Sequence, residues 1–153
     1  MRAIHARLAA AVAMCLVATV VLAQEAGRTV SPEELKWVPG RTPGLEVAFI
    51  VGNRKAPGPL VYRVKFPPNF VIRAHTHRDE RTYTVLSGTW YVGWGTHFDD
   101  AKLKALSAGS FYTEPAGAPH YVATKGEPVM VQITATGPLE YHRFVEPAPV
   151  ATQ

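Results

Sequence analysis

In "LVYRVKF", residues 60–66, Tyr62, Val64 and Phe66 alternate with Arg63 and Lys65. A period of two places the apolar set on one face of an extended strand and the charged set on the other. Similar short β-rich runs follow one another between Gly and Pro: "LEVAFIVG", "FVIRAHTH", "RTYTVLSG", "TWYVGWG", "GSFYTEP", "HYVATKG", "PVMVQITATG" and "EYHRFVE". No later segment keeps a helical period. Only "SPEELKWVPG" predicts a helix, a short one near Ser31 to Lys36, with Ser31 as cap, Pro32 at the first position and Glu34 completing a capping box. Pro39 and Gly40 stop it. About nine strands at this spacing predict an all-β fold, a sandwich or closed barrel.

The N-terminus reads differently. Arg2 and Arg7 precede an apolar run from Leu8 to Leu22, followed by a small-residue cleavage pattern ending at Ala23. This is the pattern of a secretory signal peptide, so residues 1–23 are expected to be removed and the product to be periplasmic or secreted. The expected organisation is an arm with the short helix over 24–44, the barrel over 45–146 and a disordered tail over 147–153. The only cysteine, Cys15, falls inside the leader, so the mature chain relies on packing and not on disulfides. Taking Arg2 and Arg7 from sixteen basic residues leaves fourteen against twelve acidic ones, a net charge of about +2. No basic cluster points to nucleic acid, and after cleavage nothing points to a membrane.

The chemistry concentrates in "RAHTHRDERTYTVLSG", residues 73–88. On a strand, residues two apart share a face, so His75 and His77 project side by side and can chelate one ion. Where an acidic third ligand would be expected stands Arg81, with Glu80 just before it. A second stretch, "GSFYTEPAGAPHYVAT", residues 109–124, runs a strand into a Pro115-Ala116-Gly117 turn, with His120 opening the next strand.

Together the two stretches resemble the paired motifs of the cupin superfamily. The first motif reads glycine, five residues, His-x-His, three or four residues, Glu, six residues, glycine. His75, His77 and Gly88 match it, Asn69 replaces the opening glycine, and Arg81 stands at the glutamate position. Asn69 is tolerable there because asparagine adopts left-handed turn conformations. In the second motif Gly109, Pro115, Gly117 and His120 match, and Thr124 replaces the closing asparagine. The resemblance, which extends to small secreted single-domain bacterial cupins, implies an RmlC-like jelly-roll barrel, often dimeric, so a homodimer is among the expected partners. It also implies a central cavity where His75, His77 and His120 hold Fe, Mn, Ni, Zn or Cu.

Arginine has no lone pair to donate and cannot replace the carboxylate. Three outcomes are open. The three histidines hold a divalent metal alone, leaving positions for water or substrate. A bulge turns Glu80 inward as a fourth metal ligand. Or there is no metal, and Arg81 clamps the carboxylate or phosphate of a ligand. Tyr83 shares the parity of Arg81 and is a candidate wall of the ligand site. Gln132, with Thr134 and Thr136, lies on one face of its strand, either inward toward substrate or outward as a polar surface. His97 and His142 read as surface residues, Trp90, Tyr91 and Trp94 as core or dimer surface, and Glu114 as a solvent-exposed turn residue.

Two functions follow: a metal-dependent oxygenase, isomerase or hydrolase acting on a small polar or anionic molecule, or a non-catalytic module that binds a metal or a small anion. Fold does not separate them. A nucleophilic hydrolase is not indicated, since the mature chain has no cysteine and no Gly-x-Ser-x-Gly.

Overall fold

The computed structural model describes residues 27–143, so the leader and the C-terminal tail expected from the sequence lie outside the described residues. Eleven strands occur among them: β1 (Val38–Pro39), β2 (Glu46–Val51), β3 (Gly58–Phe66), β4 (Val71–Thr76), β5 (Arg81–Ser87), β6 (Thr89–Trp94), β7 (Lys104–Ser107), β8 (Phe111–Glu114), β9 (His120–Ala123), β10 (Val129–Gly137) and β11 (His142–Arg143). They form two antiparallel sheets, ordered β1-β2-β3-β10-β5-β8 and β11-β4-β9-β6-β7. This is the all-β jelly roll. The nine runs read from alternation each contain a strand. β1 and β7 are additions, and of the four residues of β7 only Leu106 points inward and is buried.

The expected N-terminal helix reduces to a single 3₁₀ turn, Pro32–Glu34. The Glu34 carboxylate accepts the Ser31 N–H at 2.7 Å. Leu35 is already extended, and Val38–Pro39 pairs with β2. Two turns of helix are too few to repay nucleation when the following residues gain a strand partner.

The inner face of the larger sheet is set by register. Phe49, Tyr62, Ile133, Tyr83 and Tyr112 form one row across β2, β3, β10, β5 and β8. On one side of it Val64, Phe66, Val85, Val129 and Val131 form a core cluster with Trp90, Val92 and Val122 of the second sheet, and Leu60 lies on the other side of the row. Phe66 and Trp90 have ring centroids 4.6 Å apart. Each such fully buried side chain stabilises the fold by about 1.5–3 kcal/mol. The apolar half of the barrel therefore supports an opposite half where polar groups are buried.

Alternation on β10 decides Gln132. Val129, Val131, Ile133 and Ala135 are buried, so Gln132, Thr134 and Thr136 take the outer face. Gln132 accepts a hydrogen bond from Arg63 Nε at 3.1 Å on that surface. The substrate role considered for Gln132 is thereby corrected.

Two short connections hold the histidine strands in place. Asn69 sits at φ 56 in the turn before β4, the left-handed conformation open to asparagine. Thr124 locks this turn: its hydroxyl donates to Pro67 O at 2.6 Å and accepts the Phe70 N–H at 2.9 Å. Gly117, at φ 73, donates its N–H to His77 O at 2.8 Å and ties the Pro-x-Gly turn to the end of β4. A side chain at this φ would be strained.

Candidate metal centre

His75 and His120 are direct partners across β4 and β9, so their side chains share the inner face. An irregularity in β4 between Ile72 and His75 shifts the register. His77 follows at the end of the strand. Ring centroids lie 4.2 Å apart for His75 and His120, 4.8 Å for His75 and His77, and 5.0 Å for His77 and His120. All three residues are buried. One nitrogen from each lies within 4.8 Å of the others. Two bonds of about 2.1 Å span about 4.2 Å, so small ring rotations bring all three onto one ion.

The outer hydrogen bonds decide which nitrogen faces inward. Nδ1 of His75 lies 2.9 Å from Arg73 O, Nδ1 of His120 2.9 Å from Ala118 O, and Nδ1 of His77 3.4 Å from Glu140 O. A carbonyl only accepts, so each Nδ1 carries the proton and each Nε2 the lone pair. Burial, helped by the Arg81 charge and the neighbouring His75 and His120, pushes the His77 pKa down to about 2. Burial, with Arg81 adding to it, lowers that of His120 to about 4. Both rings are neutral at physiological pH, as ligation requires.

Arg81 faces the cavity, as the ungapped register expects, and does not act as an open clamp. Its Nε and Nη2 meet Asp79 Oδ2 and Oδ1 at 3.1 and 3.0 Å, and Nη2 also donates to Glu140 O at 3.2 Å. The pair is buried, with side chains 7% and 9% exposed. Glu80, in the loop just before β5, is exposed to solvent, which corrects its expected placement as a metal ligand. Tyr83 lines the cavity and stacks on Tyr112 at 4.7 Å.

Glu114 also overturns its expected place. It is 1% exposed, with Oε1 3.2 Å from His120 Nε2 and Oε2 3.6 Å from His77 Nε2. A hydrogen-bond chain orients it: Trp90 Nε1 donates to Tyr112 Oη at 2.9 Å, and Tyr112 Oη donates to Glu114 Oε1 at 3.0 Å. Burial raises its pKa to about 7 against the pull of the Tyr83 and Tyr112 hydroxyls, while Arg81 and Asp79 act in opposite directions. Sequence pattern hid this residue, because Phe111 and Thr113 on one face of β8 look no more exposed than Tyr112 and Glu114 on the other. Phe111 is in fact 63% exposed.

The cavity holds about 1170 Å³. Its inner wall is apolar, including Phe66, Trp90, Val122 and Ile133, and exposed Arg41, Arg54 and Lys55 reach it near the surface. Tyr141 stacks on His75 at 4.7 Å, and the Arg41 guanidinium lies 5.4 Å from the Tyr141 ring centre. His97 and His142 lie outside the cluster.

A family profile described as the ChrR cupin-like domain matches residues 25–140. Among curated proteins the chain is 39% identical over 67 residues to a putative germin-like protein 8-1 of Oryza sativa subsp. japonica. That match covers 42% of this chain and spans 31% of the relative's length. Among solved structures, the fold is similar to the polyketide cyclase RemF of Streptomyces resistomycificus. It has a TM-score of 0.64 and 20% identity, over 81% of this chain and 90% of that one. It is also similar to an RmlC-like cupin of Shewanella frigidimarina, with a TM-score of 0.57 and 16% identity, over 72% and 91% of the two chains.

Proposed function

The chain belongs to the ChrR cupin-like domain family, and from that premise we propose that it holds a divalent metal at His75, His77 and His120 and uses it to bind and act on a small anionic molecule, in the periplasm or outside the cell. The observation that carries this reading is the shared tautomer: three buried rings each give their Nδ1 proton to a backbone carbonyl and turn Nε2 inward. A bound divalent ion supplies Lewis acidity toward an oxygen of the molecule it meets. The protein's own groups do the remainder. Arg41, Arg54 and Lys55 favour an anion at the cavity mouth, the Tyr141 ring offers a flat face beside His75, and the apolar wall excludes water. The relatives support small-molecule chemistry in this fold, since one similar structure is described as a polyketide cyclase.

A metal-free module with Arg81 as the anion clamp is less well supported, because Asp79 already engages Nε and Nη2 of that guanidinium. The test is elemental analysis of untagged protein purified from the periplasm. The expected result is about one divalent ion per chain. Protein that carries no metal, and takes up none of Fe, Mn, Ni, Zn or Cu after chelation and dialysis, overturns the reading.

A further inference from the structure

We infer that Glu114 supplies the carboxylate ligand of this centre, taking over from across the strand pair the role that the first cupin motif gives to position 81. The inference rests on the metal reading above and deepens it.

Four observations carry it. First, Oε1 and Oε2 of Glu114 lie 3.2 and 3.6 Å from the Nε2 atoms of His120 and His77. Ligands on bonds of about 2.1 Å sit about 3.0 Å apart at right angles and about 3.4 Å apart at tetrahedral angles. The carboxylate therefore already stands near the edge length of a coordination shell. Second, the atoms facing one another are all acceptors. With Nδ1 protonated, the Nε2 lone pairs of His77 and His120 meet carboxylate oxygens, and Glu114 Oε2 and His120 Nε2 have no hydrogen-bond partner. Buried acceptors held at contact need a cation or a proton between them.

Third, the charges leave room for a cation. Arg81 gives its Nε and Nη2 to Asp79, so its guanidinium is engaged away from the buried carboxylate of Glu114. Fourth, Arg81 and Glu114 are direct partners across β5 and β8 and share the inner face. An arginine at 81 removes the motif carboxylate, and glutamate at 114 returns one from the adjoining strand. The Trp90–Tyr112–Glu114 chain then does what an outer hydrogen bond does for a ligating carboxylate, fixing its orientation.

The experiment titrates metal-free protein with Co²⁺, and separately with Zn²⁺ against a chromophoric chelator, for wild type, Glu114→Gln, Glu80→Gln and His77→Ala. Glu114→Gln is expected to weaken binding by about 100-fold or more and to change the visible Co²⁺ spectrum, with Glu80→Gln matching wild type. Unchanged affinity and spectrum in Glu114→Gln, beside loss of binding in His77→Ala, overturns the inference and leaves the three-histidine reading intact. Failure of wild type to bind either ion overturns both. Should Glu114→Gln not fold, the structure of metal-loaded wild type decides. A Glu114 oxygen within about 2.2 Å of the ion supports the assignment, and one that stays beyond bonding distance with its proton retained rejects it.

Discussion

Arg81 and Glu114 face each other across β5 and β8, yet the guanidinium turns to Asp79 and the carboxylate turns to His77 and His120. The strand pair thus separates two opposite charges that would otherwise cancel. One is sealed within the wall of the barrel, and the other is left to the cluster of histidines.

The Asp79 partnership is expected to dominate local stability. Asp79→Asn leaves a buried guanidinium beside a neutral group and should cost about 3–5 kcal/mol in urea unfolding of the metal-free protein. Arg81→Met added to it should recover most of that loss, because the unpaired charge is gone. If the double variant is as unstable as the single one, the pair is not what holds this corner.

Arg81→Glu restores the glutamate of the cupin motif, and by motif alone it should tighten metal binding. With Asp79 and Glu114 already in place it gathers three carboxylates into one buried corner. The expected result is a metal-free protein no more stable than Asp79→Asn, read by the same unfolding curves.

His77→Ala removes one of three convergent imidazoles. Metal content should fall to a small fraction of the wild-type value by elemental analysis, since two rings chelate poorly. Retention of wild-type metal would place the ion elsewhere in the protein.

Thr124→Val keeps the shape of the side chain and deletes the hydroxyl that joins Pro67 O to the Phe70 N–H. A loss of about 1–3 kcal/mol is expected, because both groups lose their partner in a partly buried turn. Thermal unfolding against wild type measures it, and an unchanged midpoint would show that water replaces the hydroxyl.

The secreted product is expected to begin at Gln24, after the Val21-Leu22-Ala23 pattern. Intact mass of protein from the periplasm checks this directly. A mass that still includes Cys15 removes the export proposal.

Local geometry was legible in the sequence because it repeats every two residues. Alternation located the strands from β2 to β6 and from β8 to β11, and it set His75 beside His77 and Arg81 inward with Tyr83. It also carried the answer for Gln132, since Val131 and Ile133 share the face that Gln132 lacks. The spacing from Pro115 to His120 brought the third histidine, through the resemblance it supports. Glu114 was not legible. Parity says that Tyr112 and Glu114 share a face, but on a four-residue strand of mixed character it does not say which face is inside. That choice was made by the pairing of β8 with β5, and it placed Glu114 opposite Arg81 and beneath His77 and His120. Asp79 as the arginine's partner was likewise a tertiary decision. Both acids that precede Arg81 are close to it along the chain, and only the folded path of the loop before β5 turned Asp79 inward and left Glu80 in water.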